Sequence, residues 1–431
     1  MTVTLNPFDR DQTTLVPIGS AYSVTLGKML DAGKAVDDGH TILPYIRAAN
    51  IQDDGLRLGD VNEMPFSDDE AARLNLRRGD LLVVEGGSVG TSVVLEHDMA
   101  GWSFQKTVNR VRPIGDWSTR YLGYVLRAYR DAGVIDLVCN GSTIPHLTAE
   151  KLKALRIPTA SPNAQRAIAD YLDRETARID TLIEEQQRLI DMLHERRFAL
   201  RTHVALHGTT SAEEIESALP WALRLPAHWR VVPLTSVADL ESGHTPSRSR
   251  EDWWTDCYIP WVSLHDVGTM RGTKYLQDTA QHISDAGIAN SSARLLPART
   301  VVLSRDATVG RTAIMGIPMA TSQHFAAWIC GPLLDPEYLW VLFQDAMQPF
   351  FDSFQNGSTI RTIGMGDLKA FRIPLPPLDE QRRIVAYLDD ETTKIDALIA
   401  ETERFIELAR ERRLALITAA VTEQIDVREM A

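Results

Sequence analysis

This chain contains an internal repeat with a period of 216 residues. The segment Asn140-Gly-Ser-Thr-Ile144 recurs as Asn356-Gly-Ser-Thr-Ile360, and Tyr171-Leu-Asp173 recurs as Tyr387-Leu-Asp389. Beyond the first of these segments the two copies align without a gap. Self-similarity at a fixed period is the signature of a duplicated structural unit. The sequence therefore predicts a chain built from two copies of one unit.

The two copies are much more alike in their later half than in their earlier half. Upstream, Leu43-Pro-Tyr-Ile46 aligns with Ile259-Pro-Trp-Val262, but identities are sparse and the offset grows to 220 between Gly90 and Gly310. A duplication without functional meaning is one interpretation. The uneven divergence favours another, in which a shared scaffold presents two different recognition domains.

The later half of each copy is predicted to be one long helix. Residues 163–206 contain neither glycine nor proline, and apolar residues alternate at spacings of four and three over more than four heptads. About 40 residues at ~1.5 Å each give a helix of about 60 Å, and Gly208 suits its C-terminal stop. The predicted seam comprises Ile168, Leu172, Glu175, Ile179, Leu182, Gln186, Leu189, Leu193, Arg196 and Leu200 in the first copy, and Ile384, Leu388, Glu391, Ile395, Leu398, Thr402, Phe405, Ala409, Arg412 and Leu416 in the second.

A helix of this length with a single apolar stripe needs a partner, and the other copy is the obvious one. The sequence predicts an antiparallel coiled coil with a pseudo-twofold arrangement. In that arrangement the glutamates Glu175 and Glu391 could face the arginines Arg196 and Arg412, and such polar positions fix register and orientation. The alternative is that these four residues lie at the edge of the seam.

The divergent segments, residues 1–139 and 231–355, are predicted to be mixed α/β. Strands are expected at residues 81–84, 93–95, 301–303 and 326–329, and helices at residues 121–129 and 338–347. Glycine-rich turns follow the strands near Gly90 and Gly310. The predicted fold class is therefore α+β: two repeated α/β domains, each followed by a long helix.

Composition and missing motifs restrict the function classes. No apolar run approaches the ~18 residues of a membrane span, and the N-terminus lacks a signal-peptide pattern, so a cytoplasmic protein is expected. There is no phosphate-binding G-x-x-x-x-G-K-[ST] loop, and the 11 histidines lack ligand spacing. We expect no catalytic, cofactor-binding or metal site.

Several short motifs occur in a specific order and are duplicated. The second domain carries Ser242-Gly-His-Thr-Pro-Ser247 and Ile259-Pro-Trp-Val262, the first carries Gly27-Lys-Met29, and Ile373-Pro-Leu-Pro-Pro-Leu-Asp-Glu-Gln381 precedes the second helix. With these motifs the chain resembles the specificity subunit of type I DNA restriction–modification systems. Under that resemblance the predicted division is a first target-recognition domain at residues 1–145, a helical spacer at 146–207, a linker at 208–230, a second target-recognition domain at 231–361 and a second helical spacer at 362–431.

The resemblance implies a subunit without catalytic activity that supplies sequence choice. Each recognition domain would bind one half of a bipartite site in double-stranded DNA. The helices would set the spacing and dock two methyltransferase subunits, and restriction/translocase subunits would complete the complex. S-adenosylmethionine, ATP and Mg²⁺ are expected on those partners. The alternative is a coiled-coil interaction scaffold whose duplicated domains bind proteins or glycans.

Residues suited to contact DNA are Arg, Lys, Asn, Gln, Ser, Thr and His in turns near the predicted strands. The candidates are Arg47, Asn50, Lys106, Arg110, Ser142, Thr143, Arg305, Arg311, Gln323, His324, Ser358 and Thr359. Neither domain is basic, since residues 1–140 carry 14 Lys and Arg against 19 Asp and Glu, within a chain of net charge −13. Because phosphate contacts need clustered positive charge, we expect the isolated chain to bind DNA weakly.

Overall fold

The computed structural model describes residues 14–29, 40–139, 145–306, 308–354, 362–425 and 427. Its contacts divide the chain into two units, residues 1–187 with 403–431 (unit 1) and residues 188–402 (unit 2). Unit 1 contains the first divergent domain (domain 1) and unit 2 contains the second (domain 2). Each unit also contains part of both long helices, whereas the predicted boundaries of 145/146 and 361/362 stay a prediction.

The first copy of the repeat has eleven strands and six α-helices among its described residues. The strands are β1 (Leu15–Pro17), β2 (Tyr22–Leu26), β3 (His40–Ile46), β4 (Ile51–Gln52), β5 (Gly55–Leu56), β6 (Asn62–Ser67), β7 (Leu81–Val84), β8 (Ser92–Val94), β9 (Ser103–Phe104), β10 (Val108–Pro113) and β11 (Arg156–Pro158). The helices are α1 (Ile18–Ala21), α2 (Asp68–Arg73), α3 (Thr119–Asp131), α4 (Val134–Cys139), α5 (Ala149–Ala154) and α6 (Pro162–His207).

The second copy repeats this order after a two-stranded hairpin. Its strands are β12 (Glu214–Leu219) and β13 (Ala222–Pro226) in the hairpin, then β14 (Arg230–Pro233), β15 (Ala238–Ser242), β16 (Ile259–Val262), β17 (Tyr275–Leu276), β18 (His282–Ile283), β19 (Val301–Ser304), β20 (Thr312–Met315), β21 (Ala320–Thr321), β22 (Phe325–Cys330) and β23 (Arg372–Leu375). Its helices are α7 (Val267–Met270), α8 (Asp285–Ala289), α9 (Pro336–Val341), α10 (Gln348–Ser353), α11 (Met365–Ala370) and α12 (Leu378–Val421). A π-helical turn, Leu342–Ala346, continues α9.

Among the described residues, the core of each domain is built on two small sheets, and domain 1 has in addition the two-stranded sheet β4-β5. In domain 1 they have the orders β2-β10-β7-β8 and β6-β3-β9, and in domain 2 the orders β15-β22-β19-β20-β17 and β18-β16-β21. The central strand β7 is buried on both faces, with Leu81 and Val83 in a core beside α3 and Leu82 and Val84 in a core under β3 and β6. The α+β class and the strands and helices expected from the sequence are confirmed.

The chain enters and leaves each domain at adjacent positions. Strand β1 pairs antiparallel with β11, and Val16 lies opposite Ile157; strand β14 pairs in the same way with β23, and Val232 lies opposite Ile373. A domain whose two ends lie side by side can be exchanged without moving the chain on either side. The pairing therefore brings the two ends of each domain together at the start of its long helix.

A buried glutamine joins the start of each long helix to its domain. The Gln165 side chain accepts a hydrogen bond from the backbone N–H of Ser118 at 2.9 Å, and its amide donates to the carbonyl of Ala160. The repeat-equivalent Gln381 accepts from the N–H of Asp335 at 2.8 Å. Ser118 and Asp335 are the N-caps of α3 and α9. This contact gives a structural role to Gln381, the last residue of the motif at residues 373–381, and to its equivalent Gln165.

An aspartate at the same repeat position fixes each domain to its helix. In unit 1, Asp173 accepts hydrogen bonds from Arg120 and from the Tyr124 hydroxyl, the latter at 2.6 Å. In unit 2, Asp389 pairs with Lys274 at 2.7 Å. Both helices therefore supply an aspartate carboxylate as the acceptor. The donors differ between the domains: Arg120 and Tyr124 in domain 1, and Lys274 in domain 2.

The first long helix ends where the sequence predicts, and the segments of the two long helices run antiparallel within each unit. Helix α6 ends at His207, followed by Gly208 with a φ of +76°, a conformation that favours glycine. In unit 1, Asp180 pairs with Arg413 at 2.9 Å, and the earlier Leu172 packs in one core with the later Ala420. Chain direction is thus opposite in the two segments.

Unit 2 shows the same direction through repeat-equivalent residues. Arg197 pairs with Asp396, and further along α6 Val204 shares a core with the earlier Leu388. Opposite directions within each unit match the antiparallel pairing expected from the sequence. One continuous coiled coil along both helices stays a prediction.

The buried face of each helix differs from the predicted seam at alternate positions. Ile168, Leu172, Ile384, Leu388 and Ile395 are buried as expected, and Ile179 is half-buried. The prediction was wrong for Leu182, Leu189, Leu398 and Phe405, which are exposed, while Ile183 is half-buried and Ile190, Ile399 and Ile406 are buried.

The cause is an extra four-residue step at the start of the seam, which runs from Ile168 through Leu172 to Thr176. Of the two interpretations of Glu175, the structure favours a position at the edge of the seam, because Glu175 is half-buried and pairs with Arg178 on its own helix. Likewise Glu391 pairs with Lys394. The arginines that reach the other helix are Arg197 and Arg413, one residue after Arg196 and Arg412.

Candidate nucleic-acid interface

The two domains hold the same set of loops with the same backbone hydrogen bonds. After β7, the N–H of Gly90 donates to the carbonyl of Val84 at 3.0 Å; after β19, Gly310 donates to Ser304 at 3.0 Å. The offset between these residues is 220, so the turn aligned from the sequence is the same structure in both domains. These turns form one end of each central sheet.

A second loop, before β10 or β22, packs against this turn. The N–H of Glu85 donates to the carbonyl of Thr107 at 2.9 Å, and that of Arg305 donates to His324 at 2.9 Å. A third segment also contacts this turn. The N–H of Leu147 donates to the carbonyl of Glu85, and the N–H of the equivalent residue Ile363 donates to the carbonyl of Arg305, both at 2.8 Å. We call this arrangement the shared frame: residues 27–28, 46–47, 84–91, 104–108 and 147 in domain 1, and residues 243–244, 262–263, 304–306, 310–311, 321–325 and 363 in domain 2.

A glycine in each domain lets two loops of the shared frame approach closely. The N–H groups after Gly27 and Gly243 donate to the carbonyls of Phe104 and Thr321, both at 3.0 Å. A Cβ on Gly27 would lie 2.3 Å from the Gln105 carbonyl oxygen, and one on Gly243 would lie 1.7 Å from that of Thr321. Any side chain here would push the loops apart. This requirement explains the glycine in both motifs.

Although the backbone is the same, the side chains at equivalent positions of the frame differ in charge and hydrogen-bonding type. Where one domain has a cation that can only donate, the other has a neutral group at the equivalent position. Where one has an acidic residue, the other has a basic residue. The equivalent pairs are Lys28 and His244, Arg47 and Ser263, Glu85 and Arg305, Gly86 and Asp306, Lys106 and Gln323, and Thr107 and His324. The arrangement can present two different patterns of donors and acceptors from one scaffold.

Of the residues predicted in domain 1, Lys106 and Arg47 belong to the frame. Lys106 is exposed, and its backbone N–H donates to Lys28. Arg47 is half-buried and pairs with Asp60 at 2.5 Å. Asn50 is buried and supports the loop: its side chain accepts from the Arg47 N–H and donates to two backbone carbonyls. Its equivalent Asp266 accepts from Ser263 in the same way.

Arg110 lies inside domain 1 and not on its exposed surface. Its guanidinium lies 5.4 Å from the Phe104 ring centroid and donates to the backbone carbonyl of Asn75. Burial, together with the neighbouring cation Arg112, lowers the pKa of Arg110 to about 10. Arg110 therefore packs inside the domain, and its predicted contact with a DNA base is not supported by this position.

Domain 2 brings four predicted residues together at its frame. The Nε of Arg305 donates to the Ile363 carbonyl at 3.0 Å, and Arg311 is half-buried after Gly310. Gln323 is exposed, and its amide lies 3.4 Å from the ring of His324. The remaining predicted residues, Ser142, Thr143, Ser358 and Thr359, lie outside the described residues.

Sequence reasoning missed the side chains that hold these groups in place. Asp306 lies 2.9 Å from the Nδ1 of His324, and Thr245 lies 2.6 Å from the amide oxygen of Gln323. In domain 1 the frame also contains Glu85, next to His146. Burial raises the pKa of the Glu85 carboxyl, and the nearby His146 partly offsets that shift. The glycine turns indicated the loops, but no spacing marked these residues.

The described residues contain neither a metal-binding cluster nor a membrane-spanning helix. No group of three or more His, Cys, Asp and Glu side chains there could hold a metal ion. Within the same residues, no helix is long and apolar enough to cross a membrane.

Comparison with known proteins gives a family match over more than half of the chain. The family model described as type I restriction modification DNA specificity domain matches twice, at residues 24–191 and 226–407. The chain is 28% identical over 171 residues to the type I restriction enzyme MjaIX specificity subunit of Methanocaldococcus jannaschii. That match spans 39% of this chain and 39% of the relative, so it covers well under two thirds of the relative's length.

Solved structures share the fold over nearly the whole chain. The HsdS subunit from Thermoanaerobacter tengcongensis superposes with a TM-score of 0.62 at 18% identity, covering 96% of this chain and 98% of that one. A chain solved in work on complex assembly and conformational transition of the type I R-M system gives a TM-score of 0.70 at 17% identity, with the same coverage.

Proposed function

The chain belongs to the family of type I restriction–modification specificity subunits, and we propose that each of its domains reads one half of a bipartite DNA site. The observation that carries this proposal is the shared frame, whose backbone is alike in both domains while six pairs of equivalent side chains differ. Base edges are distinguished by their pattern of donors and acceptors. One scaffold with two patterns is suited to two different half-sites in double-stranded DNA.

The long helices are proposed to fix the distance between the half-sites. Half-site spacing follows from how far apart two recognition elements are held, with one turn of B-DNA rising ~34 Å. Helices of 46 and 44 residues supply the length. Asp173 holds domain 1 to its helix through two donors, Arg120 and Tyr124, and Asp389 holds domain 2 to its helix through Lys274.

The exposed apolar residues of the helices support docking of two equivalent partners. Unit 1 exposes Leu182, Phe405 and Leu408, and unit 2 exposes their repeat equivalents Leu398, Leu189 and Met192. Large apolar side chains grouped on a surface mark interaction sites more often than chance. We propose that each group binds one methyltransferase subunit. The methyltransferase subunits would carry S-adenosylmethionine, and restriction/translocase subunits would carry ATP and Mg²⁺.

A charge on these surfaces should weaken assembly without unfolding the chain. We expect Leu398→Glu to lower affinity for one methyltransferase copy about tenfold or more, because an unpaired charge would be buried in the interface. The double variant with Leu182→Glu should lose both copies, as measured by native mass spectrometry of the reconstituted complex.

The matched control for assembly is Leu223→Glu, since Leu223 is 72% exposed and lies in the β12–β13 hairpin, outside the long helices. It should leave stoichiometry unchanged. If Leu223→Glu and Leu398→Glu reduce assembly equally, docking on the helices is contradicted.

Methylome sequencing of the host with and without this gene tests the proposed function as a whole. A methylated motif of two short parts separated by a fixed number of unspecified bases should be present with the gene and disappear without it. Persistence of every such motif after deletion would refute the proposal. The interaction-scaffold interpretation predicts that persistence.

A further inference from the structure

We infer that Gln323 determines one base of the half-site bound by domain 2, and that it recognises a hydrogen-bond acceptor on that base. This inference rests on the proposed function. It is carried by a row of four hydrogen-bonded side chains: Thr245, Gln323, His324 and Asp306. The last three belong to the shared frame, and Thr245 directly follows its first segment. The row fixes which group Gln323 presents outward.

The orientation of the row is set by its acidic end. The Asp306 carboxylate accepts only, so the His324 Nδ1, at 2.9 Å, carries the hydrogen of this contact. The Nε2 of a neutral His324 is then an acceptor. The Gln323 amide nitrogen lies 3.4 Å from that Nε2 and is its donor. The carboxylate thereby turns the amide nitrogen of Gln323 towards His324.

The other end of the row fixes the same amide independently. The Thr245 hydroxyl donates to the Gln323 Oε1 at 2.6 Å. With its oxygen directed to Thr245 and one N–H to His324, Gln323 has its second amide N–H left to donate. An unrestrained glutamine can offer both a donor and an acceptor. Here the two neighbours fix the orientation of the amide, since Thr245 takes one lone pair of the oxygen and His324 takes one N–H. The remaining N–H is the group that we assign to the base.

The position suits contact with a base edge. Gln323 is exposed and lies in the loop before β22. Its equivalent in domain 1 is Lys106, another exposed residue, whose ammonium group is a donor only. Both domains therefore place a donor at this point of the frame, one charged and one neutral.

A lone donor discriminates among bases in the major groove. Guanine offers N7 and O6, adenine offers N7 and thymine offers O4, whereas cytosine offers only its N4 amino donor. The base opposite Gln323 is therefore one of the three with an acceptor, and cytosine is excluded. A restrained side chain also loses less conformational freedom on binding, which favours discrimination at this position.

The test is methylome sequencing of cells that carry Gln323→Glu in the full complex. A carboxylate accepts and cannot donate, so methylation of the original site should fall about tenfold or more. Preference at one position of one half-site should shift towards the bases that offer an amino donor, cytosine and adenine, and away from thymine. Thr245→Val, which frees the amide to rotate, should broaden the accepted bases at that same position. Gln277→Glu, the same change at an exposed glutamine outside the frame, should alter nothing.

The outcomes separate this inference from the proposed function. An unchanged motif with Gln323→Glu, or a changed base in both half-sites, overturns the role of Gln323. Should Gln323→Glu abolish all methylation, Thr245→Val decides: broadening at one position supports the inference, and an unchanged motif overturns it. Exchange of a whole domain tests the proposed function, and its success alongside an unchanged Gln323→Glu motif would reject this inference alone.

Discussion

Replacing Leu388 with alanine should lower the free energy of unfolding by about 2–5 kcal/mol, because the change leaves a cavity in a closely packed core. Leu388 is buried, and it lies in the core that joins the start of α12 to Val204 of α6 and to domain 2. Chemical denaturation of the purified chain, followed by circular dichroism, measures this change.

The matched control is Leu398→Ala on the same helix. Leu398 is 50% exposed, whereas the adjacent Ile399 is 7% exposed. We expect Leu398→Ala to stay within about 0.5 kcal/mol of the unaltered chain, as is usual for surface positions. Equal losses for Leu388→Ala and Leu398→Ala would contradict the buried face described for α12.

A methyl group on Gly243 should disrupt the frame of domain 2. The Cβ of Gly243→Ala would lie 1.7 Å from the Thr321 carbonyl oxygen, which is backbone and cannot rotate away. Forced overpacking of this kind costs about 1–3 kcal/mol or more. Because the displaced loop leads to Gln323 and His324, methylation of the half-site bound by domain 2 should also be lost. Unfolding and methylation are measured on the same variant.

Gly268→Ala is the control for Gly243→Ala. Gly268 lies in α7 of the same domain, and a Cβ there would meet no atom within 4 Å. Alanine has the higher helix propensity, so stability should stay equal or rise slightly. Unaltered stability and methylation in Gly243→Ala would show that the close approach of the two loops is not needed.

The fold could be predicted from the sequence because its largest features are periodic. The repeat predicts two copies of one structural element, and the four-and-three spacing of apolar residues predicts the long helices. Apolar runs such as residues 81–84 predict the central strands. The seam error arose where two neighbouring residues are both apolar, as in Leu182 with Ile183 and Leu398 with Ile399. Spacing alone cannot decide which member of such a pair is buried.

The site was less predictable because backbone hydrogen bonds between distant segments build it. The offset between the copies changes from 216 at Gly27 to 220 at Glu85 and 217 at Thr107, so a fixed alignment does not bring equivalent positions together. Arg110 and Asn50 have the chemistry of base-reading residues, yet their partners are inside the domain. Only tertiary contacts distinguish them from Lys106 and Gln323.

The most direct measurement is the methylated motif of a chain whose domain 1 has been exchanged. Residues 18–155, between the paired strands β1 and β11, would be replaced by the corresponding residues of a relative with a different known motif. If each domain reads one half of the site independently, one half of the methylated motif should change, and the other half and the spacing should stay the same. Changes in both halves, or in neither, would contradict it.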